Sequence, residues 1–446
     1  MEQEQYYHSV RLDKDKCTGC TNCIKRCPTE AIRVRKGKAR IMNERCIDCG
    51  ECIRVCPYHA KKAVTDPLES INEYKYKIAL PAPALYGQFK SLKSVDVLIA
   101  GLKALGFDDV YEVAKGAEIV ADAVARRLNG ADMKPLISSA CPAVVRLIQV
   151  RFPELLDNIV DVDAPMEVAA QVAKKEFAEK HQVDTNDIGT FFITPCPAKM
   201  TSIKVPIGKE KSSVDGAISI LDIYGLLTNQ IKTEPTAPAA ETNDDGVAKS
   251  NENASAIGVG WAVSGGEVMA VGERNALAVD GIANVIRALE EIENDKLTDI
   301  DFFEGLACTG GCIGGPLVFE SSYVSENRLN KLCDSIWKNK GVLDKRGEYV
   351  SEGIAELNLP IEARDVLKLD DDRKVAMQKV QQIEELLQKL SGLDCGSCGS
   401  PNCRAMAEDI VRGYAHEMDC IFILKEKVRF LAEEMVDLAS KEEGEK

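Results

Sequence analysis

Short apolar runs alternate with longer amphipathic segments through the middle of this chain. Tyr76–Pro81, Asp109–Val113, Pro135–Ser139, Gly189–Thr194 and Phe302–Ala307 are brief and largely apolar, and each is expected to be a strand. Between them, Ser91–Leu105, Gly116–Leu128, the stretch from Cys141 towards Phe152, and Asp280–Glu293 carry apolar residues at helical period. This alternation predicts an α/β fold with parallel layers. The pattern divides the chain into segments 1–70, 71–375 and 376–446. Residues Lys232–Ala256 interrupt it with a polar, proline-containing stretch that reads as a flexible surface insertion. Near the end, Ile421–Leu438 is again amphipathic, with Leu424, Val428, Leu431, Met435 and Leu438 on one side.

Composition narrows the function classes. Of 446 residues, 71 are acidic and 56 basic, for a net charge of −15, so a phosphate-binding surface and a nucleic-acid partner are not expected. No run of about 18 apolar residues is present, so no membrane span is expected. The first residues, Met1–Arg11, lack the apolar core of a signal peptide, which gives a cytoplasmic expectation. In that reducing compartment, 17 cysteines read as metal ligands before they read as disulfides.

The cysteines are grouped. Eight lie between Cys17 and Cys56, four between Cys395 and Cys420, and Cys141, Cys196, Cys308 and Cys312 are spread through the middle, leaving only Cys333. Four thiolates suit a cubane iron–sulfur cluster and also suit zinc, so the count alone does not name the metal. Spacing does. Cys17, Cys20, Cys23, Cys27-Pro28 and Cys46, Cys49, Cys52, Cys56-Pro57 are each C-x2-C-x2-C-x3-C-P, the two-cluster ferredoxin pattern. In that pattern the fourth cysteine of each run serves the other cluster. One set is then Cys17, Cys20, Cys23 and Cys56, and the other is Cys46, Cys49, Cys52 and Cys27.

The terminal set, Cys395, Cys398, Cys403 and Cys420, is spaced C-x2-C-x4-C-x16-C, with Gly396 and Gly399 allowing tight turns. It resembles a small single-cubane domain found on several anaerobic redox proteins, with zinc as the alternative. Three of the four middle cysteines follow directly on expected strands. In open α/β sheets ligands sit beyond that carboxyl edge.

At these cysteines a resemblance becomes specific. Ser138-Ser-Ala-Cys141-Pro-Ala, Thr194-Pro-Cys196-Pro-Ala-Lys199 and Glu304-Gly-Leu-Ala-Cys308-Thr-Gly-Gly-Cys312 resemble, in order, the three signatures of iron-only (FeFe) hydrogenases. The resemblance implies a ferredoxin-like N-terminal cluster domain, a central two-lobed parallel α/β hydrogenase domain and a small helical C-terminal iron–sulfur domain. It implies an oxidoreductase that converts dihydrogen to protons and electrons. It implies four 4Fe-4S clusters, with Cys141, Cys196, Cys308 and Cys312 holding one of them. Cys312 would also bridge to a two-iron unit carrying CO, CN and a bridging dithiolate. Lys199 matches the family lysine that hydrogen-bonds a cyanide, and Gly310, Gly311, Gly314 and Gly315 would let the backbone close on the site.

The departures are chemical. Where the family has a proton-relaying cysteine, this chain has Ala140, whose methyl group neither donates nor accepts a proton. Thr194 and Leu306 replace signature methionines, and the glutamate expected shortly after Lys199 is absent. These changes resemble the divergent branch proposed to sense hydrogen. Three functions follow: a slow hydrogenase used in sensing; an ordinary fermentative or uptake hydrogenase with another proton path, through Glu304, Glu167 or Glu118; and a non-catalytic relative of iron–sulfur assembly that lacks the two-iron unit. No nucleotide or flavin site stands out. Electrons would therefore pass to a ferredoxin-like carrier or partner subunit, and a sensor would need a signalling kinase or other output partner.

Overall fold

Where the sequence alternates between apolar runs and amphipathic segments, the computed structural model has parallel sheets flanked by helices. It describes residues 7–90, 92, 94–131, 133–233, 253–272, 275–337, 349–350 and 353–444. The chain divides into two compact units: Ala63–Arg364 with Ile47–Gly50 and the residues up to Val10, and Arg11–Cys46 with Glu51–Lys62 and Asp365–Lys446.

The cysteine-rich head begins with β1 (Val10–Leu12), β2 (Ile32–Arg35), β3 (Lys38–Ile41) and β4 (Lys61–Ala63). β2 and β3 form an antiparallel hairpin, and β1 pairs with β4. The short helices Asn22–Arg26 and Glu51–Arg54 each contain the third cysteine of a run. In the second unit, the helices Arg373–Lys389 and Cys403–Val411 pack around Ile383, Leu386, Met406 and Ala407. The sequence-drawn segments 1–70 and 376–446 thus contribute most of one compact unit.

In the larger unit β5 (Tyr76–Pro81), β6 (Asp109–Val110), β8 (Ile188–Thr194) and β9 (Gly216–Ser219) form a sheet in the order β6-β5-β8-β9. All its pairs are parallel. β7 (Leu136–Ile137), β10 (Ala276–Asp280) and β11 (Phe302–Leu306) form a second parallel sheet, β10-β11-β7. All seven residues of β8 are buried, as expected for a strand covered on both faces. Its side chains alternate between two cores. Ile188 and Phe192 face the core under helices Val113–Leu128 and Pro165–His181, and Phe191 and Ile193 face the core under Val95–Ala104 and Ile220–Thr233.

The structure trims several expected boundaries. The segment Asp109–Val113 is a strand only at Asp109–Val110, and Val113 already starts a helix behind Glu112. Pro135–Ser139 keeps only Leu136–Ile137 as strand. Asp280 closes β10, and the helix expected from Asp280 begins at Ile282, after Gly281 at φ 79°. Ser91 and most of the Lys232–Ala256 insertion lie outside the described residues, whereas Ser255 caps the helix Ala256–Gly260. The terminal helix spans Ile421–Gly444 and leaves Leu424, Val428, Leu431, Met435 and Leu438 exposed.

One close approach fixes the larger core. A Cβ on Gly116 would stand 2.4 Å from the Pro165 carbonyl oxygen and 2.9 Å from the Ala169 Cβ, so two helices meet through backbone there. Gly116→Val is expected to destabilise this unit by about 1–3 kcal/mol through overpacking. Thermal unfolding followed by circular dichroism checks this. Gly130→Ala, at a position with nothing within 4 Å, is the control, and equal midpoints for the two variants would contradict the packing.

Candidate functional site

Parallel strands deliver their carboxyl ends to one side of a sheet, and the loops that follow them converge. Ile137 ends β7, and four residues on Cys141 precedes the helix Pro142–Arg151. Thr194 ends β8, and Cys196 precedes the helix Pro197–Lys204. Leu306 ends β11, followed by Cys308 and Cys312. Both sheets therefore supply cysteines from their carboxyl edges. The four lie on one cavity of about 80 Å³, together with Ala140, Lys199 and Cys49. Apolar side chains, among them Met166, Phe192, Trp261 and Leu306, complete its walls.

Each loop is held by specific contacts. The Thr194 hydroxyl accepts from the Cys196 amide at 3.0 Å, so the residue in place of the family methionine ties the second cysteine's turn. Pro142 and Pro197 open the helices after Cys141 and Cys196, where a missing N–H costs nothing. Gly311 sits at φ 88°, and a Cβ there would lie 2.7 Å from the Ala262 carbonyl oxygen. No residue with a Cβ fits at position 311 without moving that backbone.

The four thiols are mutually unfavourable as anions. Burial pushes the Cys196 thiol up to about 12, and neighbouring Cys308 and Cys141 push in the same direction. Burial raises Cys312 well above its ordinary value, as do Cys141, Cys308 and Cys196, with Lys199 opposing them. Four sulfurs gathered in a desolvated pocket are suited to a cationic metal core, which favours their thiolate forms. The donor set, the apolar enclosure and the glycine-limited loop all fit a cysteine-held cluster.

Lys199 also points to this site. Its Nζ donates to the Ala140 carbonyl oxygen at 2.8 Å. The methyl of Ala140 stands on the cavity wall, with no titratable atom of its own. Two residues earlier, the Ser138 hydroxyl accepts from the Ala140 amide at 3.2 Å and donates to Glu267 Oε2 at 2.6 Å. Glu267 is pushed up to about 8 by burial and then by the charge of Glu304. Glu304 is pushed up to about 7 by burial, although the amides of Val268 and Gly265 donate to it at 2.9 and 3.0 Å. Asp280 adds a further upward push on Glu304.

The three carboxylates considered from the sequence therefore differ. Glu304 couples through Glu267 and Ser138 to the cavity wall. Glu167 is engaged by Ser212 at 2.5 Å, the Ser213 amide at 2.7 Å and Lys209 at 3.2 Å. Glu118 accepts from the Ser255 amide at 2.7 Å. Sequence reasoning missed Glu267. It lies in Ser-Gly-Gly-Glu, outside the three signatures, and only the fold sets it against Ser138.

The remaining cysteines fall elsewhere. Cys49, from the second head run, lines the cavity, whereas Cys17, Cys20, Cys23, Cys27, Cys46, Cys52 and Cys56 belong to the other unit. Cys395, Cys398, Cys403 and Cys420 are also in that unit, with Cys395 exposed and Cys420 buried. Cys333 packs near the Ala256 carbonyl oxygen, 3.5 Å away. Among the described residues no helix is long and apolar enough to cross a membrane.

Known proteins resemble three parts of this chain. Residues 75–316, more than half of the chain, match the family described as iron only hydrogenase large subunit, C-terminal domain. Residues 9–57 match a 4Fe-4S dicluster domain, and residues 390–422 match an Fe-S cluster family. The chain is 33% identical over 212 residues to the periplasmic [Fe] hydrogenase large subunit of Nitratidesulfovibrio vulgaris, covering 43% of this chain and 50% of that protein. It is 24% identical over 376 residues to iron hydrogenase 1 of Clostridium pasteurianum, covering 69% of this chain and 64% of that protein. It thus spans between half and two thirds of the length of these relatives. A solved FeFe-hydrogenase from Chlamydomonas reinhardtii superposes with a TM-score of 0.48 at 16% identity, over 67% of this chain and 95% of that one. With three ordered cysteine signatures converging on one cavity, this chain belongs to the iron-only hydrogenase family.

Proposed function

We propose that this chain activates dihydrogen reversibly and slowly, in the service of hydrogen sensing. The observation that carries the reading is Ala140 on the wall of the four-cysteine cavity, where a relaying thiol would stand. Cys141, Cys196, Cys308 and Cys312 would hold a cubane, and Cys312 would also hold a two-iron unit with CO, CN and a bridging dithiolate. When bound, this group supplies the open metal position at which dihydrogen is split heterolytically. Lys199 lies close enough to orient a ligand of that unit, since its ammonium already reaches the Ala140 carbonyl. The apolar walls exclude bulk water, which strengthens the lysine's electrostatic effect.

The chain's own residues must then move a proton. Ser138, Glu267 and Glu304 form the route this reading favours, with Asp280 beyond them. Burial raises both carboxyls, the charge of Glu304 raises Glu267 further and that of Asp280 raises Glu304, so the pair retains a proton near neutrality. Ser138 is not on the cavity wall, and Ala140, which is, offers no titratable atom to bridge the two. Slow turnover follows. A second reading, ordinary turnover, is favoured only if this route proves fast.

Electrons leave by accessory clusters. Cys17, Cys20, Cys23 and Cys56 hold one; Cys46, Cys49, Cys52 and Cys27 hold another; and Cys395, Cys398, Cys403 and Cys420 hold a third. Cys49 on the cavity wall supports an electron exit there. A ferredoxin-like carrier or a partner subunit takes the electrons, and in a sensing role a signalling kinase reads the redox state. The cytoplasm, where thiols stay reduced, suits a chain with 17 cysteines.

Dihydrogen oxidation needs the Glu267–Glu304 pair free to accept a proton, so its rate should rise with pH through about 7 to 8 while proton reduction falls. Glu267→Gln should lower both rates by about 10²-fold and abolish that inflection. Dye-coupled oxidation assayed across pH checks this, and an unchanged profile would remove the pair from the route. Cys312→Ser should lose the two-iron unit and all dihydrogen activity while the head clusters keep their visible absorption. Retained activity would contradict the ligand set.

A further inference from the structure

The terminal cysteine motif is framed by residues of the first head run, within one compact unit. The Lys25 side chain donates to the Pro401 carbonyl oxygen at 2.7 Å and also to that of Asp394, one carbonyl on each side of the Cys395–Cys398 loop. Lys25 itself lies between Cys23 and Cys27, in the helix Asn22–Arg26. The Val34 amide of β2 donates to the Gly399 carbonyl oxygen at 2.8 Å. Gly399 is at φ 82°, and a Cβ there would fall 1.8 Å from the Val34 carbonyl oxygen, so the loop lies directly on the strand.

A buried ionic clamp backs these contacts. Asp409 Oδ2 accepts from Arg33 Nε at 2.6 Å, from Arg35 Nη2 at 2.9 Å and from the Ser400 hydroxyl at 2.9 Å. Its side chain is 3% exposed and that of Arg33 7%. Arg35 Nη1 reaches further, donating to the carbonyl oxygen of Cys398 at 2.8 Å. Asn402 donates to Glu30 at 2.5 Å, and Arg45 pairs with Glu408. Two cationic residues that share one carboxylate, one of them also holding a cysteine's backbone, fix position as well as contact.

We propose that the Cys395–Cys420 site is held as the immediate redox neighbour of the first head run, Cys17–Cys27, with Lys25 and the Asp409–Arg33–Arg35 clamp as positioning residues, so that electrons pass between the two across the Lys25 contact. This rests on the reading that both cysteine sets hold 4Fe-4S clusters. In the step, one electron leaves the reduced cluster and is taken up by the oxidised one. No bond breaks and no proton is transferred in that step.

The test uses the full chain with its clusters rebuilt, reduced with dithionite and examined by low-temperature electron paramagnetic resonance. Cys420→Ser should remove about four irons and with them one set of spin–spin interactions from the spectrum. Asp409→Asn should remove the same interactions with no loss of iron, and Lys25→Met should weaken them while the domain stays folded. If Cys420→Ser loses no iron, the terminal motif holds no cluster, and the underlying reading fails with the proposal. If iron is lost there but Asp409→Asn leaves the interactions intact, the positioning proposal alone is overturned. Should Asp409→Asn itself lose iron, Lys25→Met decides: weakened interactions support the relay contact, and unchanged ones overturn it.

Discussion

Four thiols confined in one desolvated cavity are the constraint on which the rest of this structure depends. Burial raises the Cys196 and Cys312 thiols, and their neighbouring cysteines add to it, so as bare thiolates they would be strongly disfavoured. A cationic iron core relieves that conflict. The fold brings them together by an economical device. Two separate parallel sheets end at the same place, and the loops after β7, β8 and β11 each carry a cysteine, with Cys312 following on the last of them. The glycines near Cys312 and the prolines after Cys141 and Cys196 are consequences of that convergence, since only such residues let three loops close on one small volume.

In the proposed route the same confinement also bears on proton movement. A family thiol beside Cys141 would put a titratable atom on the cavity wall; Ala140 leaves that position apolar. What remains is a buried pair, Glu267 and Glu304, reached through the Ser138 hydroxyl. Backbone amides stabilise Glu304 as an anion, whereas Glu267 has a hydroxyl and a neighbouring charge, so the proton they retain resides preferentially on Glu267. The site therefore keeps four cysteines and a lysine on one cavity wall and carries no thiol at position 140.

Much of this was legible in the sequence, for physical reasons that can be named. Cluster ligands are close-spaced and chemically singular, so the two head runs and the terminal set stand out without any fold. The middle cysteines could be placed because a strand's apolar run ends abruptly and the ligand follows it. Less legible were elements whose residues serve two purposes. β10, Ala-Leu-Ala-Val-Asp, is half-buried and runs into the next helix through a single glycine, which hid its end at Asp280. β7 is two residues long because Cys141 must already face the cavity. Glu267 was invisible because its role depends on a serine 129 positions away. Nor could the linear pattern show that the first and last segments build one compact unit, since Arg33, Arg35 and Asp409 look like ordinary surface charges until they meet in the fold.

The most direct measurement is infrared spectroscopy of the chain after its clusters are rebuilt and a two-iron precursor is supplied. The account predicts sharp CO and CN stretching bands that shift when dihydrogen is admitted and that disappear in Cys312→Ser. A chain whose middle cysteines bind iron yet show no such bands would retain the cubane and lose the organometallic site, contradicting the claim that this pocket activates dihydrogen.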